Sequence, residues 1–218
     1  MLDFLPEWLV RGGPVMLVLL GCSITSLAII MERLFLIRAT KKRMDGFQIR
    51  IQGVLKFGHL DEVERKARET PNPLARIFLA GLEKIGEGNA RITEAVSAAG
   101  EKEAKRLHRH VDVLATIVAG APLLGFLGTV LGMIEAFKQI EALGGNVNAA
   151  VLAGGIWEAM LTTAGGLTVA VPTLFAHNYL VSRIRTIVGD LEEASQALLD
   201  SLRASAPAAA AAAREGEM

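Results

Sequence analysis

Cysteine, aromatic residues and net charge are all scarce in this chain of 218 residues. The single cysteine, Cys22, excludes an intramolecular disulfide and any zinc site built from several cysteines. It lies in an apolar run, where a small packing residue is the simpler interpretation. Aromatic residues make up 5% of the chain, although 51% of it is hydrophobic. The apolar content is therefore mostly Ala, Leu, Val, Ile and Gly, which is typical of closely packed helices.

The charged residues balance, with 23 Lys and Arg against 23 Asp and Glu. A neutral chain does not indicate nucleic-acid binding. The sequence also lacks a nucleophile beside a base, a phosphate-binding loop and a cluster of metal ligands. We therefore predict that the chain is not an enzyme and that it carries no cofactor.

Long stretches without charge are the strongest signal in the sequence. Three of them each reach the roughly 20 residues that an α-helix needs to cross the hydrocarbon of a bilayer. They cover residues 12–31, 113–134 and 159–182. Because backbone polar groups in lipid must be satisfied within the helix, we interpret all three as spanning helices. The prediction is an all-α membrane protein with membrane helices at 14–37, 112–140 and 151–182.

The basic residues near the ends of these stretches predict the orientation. Lys41, Lys42 and Arg43 follow the first stretch, and Arg183 and Arg185 follow the third. The connection between the second and third helices has no basic residue. Because cytoplasmic loops carry an excess of Lys and Arg, the N-terminus is predicted outside and the C-terminus inside. No signal-peptide cleavage site follows the first stretch, so we expect it to be a retained anchor.

The resulting organisation is a multi-pass membrane protein. Its outer parts are predicted to be a short N-terminus at 1–13 and a loop at 141–150. Its cytoplasmic parts are predicted to be a helical loop at 38–111, a helix at 183–203 and a disordered Ala-rich tail at 204–218. Within the cytoplasmic loop, a helix that starts near Ala90 is expected to run unbroken into the second membrane helix, because no proline or strong turn signal intervenes.

Polar side chains recur at one depth of the second and third membrane helices. Thr129 and Thr163 fall at similar depth in the outer half, counted from the predicted cytoplasmic ends. Glu158 and Thr162 share one face of the third helix because they are four residues apart. An acid near hydrocarbon usually faces a cavity or a partner, so these four residues are candidates for an ion pathway. Two alternatives stay open: Glu158 could lie at headgroup level beside Trp157, and the threonines could bond only to their own helices.

Small residues mark the predicted helix contacts. Gly128 and Gly132 form a GxxxG pair, which lets two helix backbones approach closely. The full set that we assign to helix packing is Gly125, Gly128, Gly132, Gly165, Gly166 and Pro172.

Two segments of the membrane helices resemble motifs of a known family. Residues 125–134 read GFLGTVLGMI, and residues 155–167 read GIWEAMLTTAGGL. Both are similar to signature motifs of the MotA/TolQ/ExbB proton-channel family, and the match extends to the number and order of the predicted spans. Three spans rather than four make the chain more similar to ExbB and TolQ than to MotA.

The resemblance implies a homopentameric ring around two copies of a single-span partner similar to ExbD or TolR. That partner supplies a membrane aspartate which takes up and releases protons. Thr129 and Thr163 then line the inner face of the ring near this aspartate, and Glu158 lies near the outer entrance. Proton flow would drive movement of the partner, which in turn acts on a TonB- or TolA-like protein.

The residues alone support less than the resemblance does. No acid lies deep in the second or third predicted span, so a complete proton path requires an acid from a partner. The alternative function is a non-conducting scaffold that assembles a single-span partner. Protons and sodium ions both stay open as the transported ion, as do nutrient transport and envelope maintenance as the output.

Overall fold

The chain folds into helices joined by short connections throughout the part that the structure describes. The structure, a computed structural model, describes residues 13–56, 60–142 and 149–215. Most of the predicted periplasmic N-terminus, most of the predicted outer loop and His59 lie outside these ranges. The helices are α1 (Gly13–Lys56), α2 (Leu60–Glu69), α3 (Pro73–Leu82), α4 (Asn89–His108), α5 (Val111–Ala142) and α6 (Ala149–Glu215). The all-α fold class is therefore confirmed for the described residues.

Three segments in the described ranges are long and apolar enough to cross a membrane, as predicted from the uncharged stretches. They are Gly13–Ile51 of α1, Val111–Ala142 of α5 and Ala153–Leu202 of α6. Each is longer than the roughly 20 residues that a bilayer requires, because the helices continue into charged sequence.

The chain divides into two compact units. The apolar unit contains residues 1–33 and 110–180, and the charged unit contains residues 34–109 and 181–218. In the apolar unit, α1, α5 and α6 meet around a core of buried side chains. This core consists of Met16, Leu19, Ile117, Ala121 and Ala170.

The charged unit is organised around the short helix α3, in which seven of the ten residues are buried. Asn72 caps its N-terminus by accepting a hydrogen bond from the backbone N–H of Ala75 at 2.9 Å. On α4, the buried carboxylate of Glu103 accepts two hydrogen bonds from Arg76, at 2.8 and 2.6 Å, and one from Arg106 at 2.9 Å. These bonds tie α3 to α4 at a position where an unpaired acid would be costly.

The expected unbroken helix from Ala90 into the second span is wrong. Helix α4 ends at His108, α5 begins at Val111, and His110 between them has φ +68°. This left-handed conformation is uncommon for a residue other than glycine. The His110 ring lies within the apolar unit, with Nδ1 3.0 Å from Nη2 of the buried Arg33 and 3.4 Å from a carboxylate oxygen of Glu32. Contacts with a distant part of the chain therefore accompany a break that has no glycine or proline signal.

Helix α6 extends into the Ala-rich segment that begins at residue 204, and the helix ends at Glu215. Residues 216–218 of the tail that we predict to be disordered lie outside the description. Alanine has the highest intrinsic helix propensity, so a run of alanines prolongs a helix that has already started.

Candidate functional site

The candidate site lies on the seam where α5 and α6 pack against each other in opposite directions. Four glycines leave no room for a side chain on this seam. A Cβ built on Gly128 would lie 2.5 Å from Thr162 Oγ1, and one on Gly132 would lie 2.8 Å from Ala159 Cβ. A Cβ on Gly125 or Gly166 would come within 2.7 Å or 2.5 Å of a backbone carbonyl oxygen of the other helix. The two backbones are therefore in direct contact along the seam.

The other two predicted packing residues lie elsewhere. Gly165 faces α1, where a built Cβ would lie 3.0 Å from Met16 Sδ. Pro172 is exposed in the single chain. Sequence reasoning missed Gly155, whose built Cβ would lie 2.8 Å from Ala136 Cβ. Four-residue spacing of small residues, Gly132 with Ala136 and Gly155 with Ala159, is the signal that could have found this contact.

Three threonine hydroxyls meet at the centre of the seam. Thr129 Oγ1 lies 2.5 Å from Thr163 Oγ1, so the predicted equal depth of these two residues is confirmed within the chain. Thr129 also reaches the carbonyl of Ala159 on the opposite helix at 3.0 Å. Thr162 reaches the same carbonyl at 2.7 Å and that of Gly125 at 3.0 Å. We call Thr129, Thr162 and Thr163 the threonine cluster.

The open alternative for these threonines, bonding to their own helices only, does not describe the cluster. Thr163 reaches across to Gly125 O at 3.2 Å, and Thr129 also reaches Gly125 O of its own helix at 3.3 Å. Thr162 is 2% exposed, whereas Thr129 and Thr163 are half-buried. Two of the three threonine residues are therefore partly accessible from outside the single chain.

Glu158 does not join the cluster. Its side chain is exposed, and it lines a cleft of about 490 Å³ together with Thr162, Gly132 and Gly155. The same cleft contains a second acid that the sequence argument left out, Glu135 of α5, which lies 4.0 Å from Lys138. The structure therefore brings three of the four predicted pathway residues together and places the fourth beside them, in a cleft.

The threonine cluster can hydrogen-bond a proton-carrying group but is a poor proton carrier itself. Each hydroxyl has one proton to donate and lone pairs to accept. In the described part of the chain, no group of three or more His, Cys, Asp or Glu side chains could hold a metal ion. The cluster is thus suited to solvate an acid, in its protonated or its charged form, that arrives from another molecule.

These features define a class: an all-helical, multi-pass membrane protein whose last two apolar helices join at a glycine seam lined by hydroxyls. Residues 69–193 match the model of the MotA/TolQ/ExbB proton channel family. The chain belongs to this family, and the resemblance drawn from the two motifs is confirmed.

Curated relatives extend the similarity over most of the chain. The chain is 31% identical over 192 residues to the Tol-Pal system protein TolQ of Pseudomonas aeruginosa, covering 80% of each protein. It is 32% identical over 169 residues to the putative biopolymer transport protein ExbB-like 3 of Synechocystis, covering 77% of this chain and 80% of the relative. A biopolymer transport protein ExbB of Xanthomonas campestris is 34% identical over 119 residues, covering 50% of this chain and 47% of the relative.

Proposed function

We propose that this chain is the ring-forming, ion-conducting subunit of a proton-driven complex in the bacterial inner membrane. Five copies surround the membrane helices of two copies of a single-span partner of the ExbD or TolR type. Proton flow then energises a TonB- or TolA-like protein in transport across the outer membrane or in envelope maintenance. The proposed orientation has the N-terminus in the periplasm and the C-terminus in the cytoplasm, as the loop charges predict.

The observation that carries this proposal is the threonine cluster on the glycine seam. The hydroxyls of its two half-buried residues, Thr129 and Thr163, lie 2.5 Å apart at one level of the antiparallel helices. Glu158 provides an exposed carboxylate next to Thr162 in the adjoining cleft, which suits an outer entrance for cations. A protonated partner acid would be neutral and therefore free to move past the apolar wall on either side of the cluster.

A conducting subunit and a passive scaffold place different demands on the threonine cluster. In a scaffold, only the close packing of α5 and α6 would be needed, and the hydroxyls would be dispensable. In a conducting ring, the hydroxyls stabilise the partner's carboxylate while it is charged. Hydrogen bonds to charged groups contribute about 1.5–3 kcal/mol each, so losing one should slow flux by a factor of roughly ten or more.

The test is proton flux into proteoliposomes that contain the chain together with its single-span partner. Thr129→Ala and Thr163→Val should each reduce flux at least tenfold while the complex still assembles. Thr168→Val is the matched control, because Thr168 is exposed and donates to Ala164 O of its own helix at 2.8 Å. Thr116→Ala serves the same purpose in α5, where the hydroxyl donates to Asp112 O at 3.0 Å.

Wild-type flux in both cluster variants would show that the hydroxyls are dispensable, which contradicts the proposed role of the threonine cluster and is the result that the scaffold alternative predicts. Running the assay in sodium-free buffer and again with added sodium identifies the ion. We expect flux without sodium.

A further inference from the structure

His177 is a titratable side chain in the apolar part of α6 that the threonine cluster does not use. It is half-buried, and it lies 14 residues after Thr163 on the same helix. Fourteen residues correspond to about 21 Å along the axis and to a rotation about 40° short of four full turns. His177 therefore lies on nearly the same side of α6 as Thr163. It precedes Arg183, the first charged residue after this stretch, by about 9 Å.

The seam between α5 and α6 sets the surroundings of His177. Gly132 lies opposite Ala159 and Gly125 lies opposite Gly166, so residue numbers fall on one helix as they rise on the other. Continued along α6, this register puts His177 at the level of Leu114, near the start of α5. Among the described residues, the titratable or charged groups at this end of the apolar unit are Asp112 of α5, His110 just before α5, Glu32 and Arg33 of α1, and Tyr179 of α6 itself.

A contact with the neighbouring residue fits one tautomer of the His177 ring. Nδ1 of His177 lies 3.3 Å from Oδ1 of Asn178. An amide oxygen only accepts hydrogen bonds, so this contact is a hydrogen bond when Nδ1 carries the proton. In the neutral ring, Nε2 then holds a lone pair that can accept a proton. Asn178 is in this sense a positioning residue for the imidazole.

Polar titratable groups within membrane helices are rare, and they usually face a cavity or a partner. Histidine ordinarily exchanges a proton between about pH 5 and 8, which suits a group that takes up and releases protons at each turnover. A threonine hydroxyl lacks this capacity. The apolar part of α6 thus carries a hydroxyl group at Thr163 and an imidazole about 21 Å further along the helix.

We propose that His177 is the inner proton station of the conducting ring, the side chain that binds and releases the proton near the cytoplasmic end of the path. A proton leaving the level of the threonine cluster is carried by water of the lumen to His177, where Nε2 accepts it and the ring becomes imidazolium. The imidazolium then returns the proton to water on the cytoplasmic side, and the neutral ring is restored. This inference rests on the proposed function and assigns a further residue to it.

The experiment measures proton flux through the full complex in proteoliposomes at a fixed membrane potential, with the pH equal on the two sides and varied on both together from about 5 to 8. The wild-type flux should depend on pH. His177→Gln keeps a polar side chain but cannot titrate, so flux should fall about tenfold and lose this pH dependence. His110→Gln is the matched control, because its amide oxygen can still accept from Arg33, and it should keep both the flux and the profile.

The outcomes separate the inference from the proposed function. If Thr163→Val abolishes flux and His177→Gln keeps the wild-type rate and pH profile, the inner station is refuted while the conducting ring stands. If the wild-type complex carries no proton flux, both are refuted. A second measurement does not depend on conduction: nitrogen-15 NMR of the chain in lipid nanodiscs. It should show the His177 proton on Nδ1 at neutral pH and a change of tautomer ratio in Asn178→Leu, and a wild-type ring protonated on Nε2 would overturn the assignment.

Discussion

The closest approach between α5 and α6 makes a sharp prediction for the substitution Gly128→Ala. The added methyl carbon would lie 2.5 Å from Oγ1 and 2.6 Å from Cβ of Thr162, whereas carbon atoms in contact normally lie about 3.5–4.0 Å apart. Either the helices separate by about 1 Å, or Thr162 rotates. Rotation would break its hydrogen bonds to Gly125 O and Ala159 O, at 3.0 and 2.7 Å.

The magnitude follows from these two costs. Overpacking in a well-packed region costs typically about 1–3 kcal/mol, and a lost hydrogen bond adds about 0.5–1.5 kcal/mol. A total of about 2–4 kcal/mol should lower the melting temperature by roughly 5–15 °C for a chain of this length.

The assay is thermal unfolding of the detergent-solubilised protein, followed by fluorescence of the two tryptophans. Gly120→Ala is the matched control, since it is in the same helix and a built Cβ meets no heavy atom within 4 Å. The free energy of unfolding of that variant should lie within about 1 kcal/mol of the wild-type value, because alanine favours a helix more than glycine does. Equal melting temperatures for the two variants would refute the direct backbone contact.

Three further pairs of substitutions test the charged unit and the helix break. Arg76→Met should destabilise the protein by about 2–4 kcal/mol, because it removes two of the three hydrogen bonds to buried Glu103. Arg106→Met should destabilise it less, and equal losses of stability in thermal melts would contradict this reasoning. Asn72→Ala should cost about 1 kcal/mol through loss of the α3 cap, whereas Asn72→Asp, which can still accept, should cost less in the same melts. His110→Gly should be more stable than His110→Ala by about 1 kcal/mol, because both remove the ring and only glycine adopts φ +68° without strain; the reverse order would show that the backbone there is relaxed.

The sequence was sufficient for features that depend on local composition. Uncharged stretches located the three apolar helices, and depth counted along antiparallel helices brought Thr129 and Thr163 to one level, where their hydroxyls meet. Both arguments work because an α-helix has a fixed rise per residue and a bilayer has a nearly fixed thickness.

Features that depend on contacts between distant segments were missed. The break at His110 coincides with contacts to Glu32 and Arg33 on α1, and neither glycine nor proline marks it. Glu103 lies in a charge-rich helix and reads as a surface residue, yet it is buried beneath two arginines. In the membrane helices, GxxxG spacing identified Gly128 and Gly132, but the contact between Gly155 and Ala136 follows only from the pairing of α5 with α6.

The hydrogen-bond geometry of the threonine cluster permits more than one arrangement of its protons. Three O–H groups share two carbonyl oxygens, and Thr129 and Thr163 can each point toward the other or toward the backbone. Side-chain reorientation of this kind takes picoseconds to nanoseconds and needs no displacement of the helix axes. The seam therefore acts as a small polarisable medium inside a rigid apolar wall. It can stabilise an approaching charge of either sign by reorienting its hydroxyl groups, while the glycine contacts hold the two helices in place.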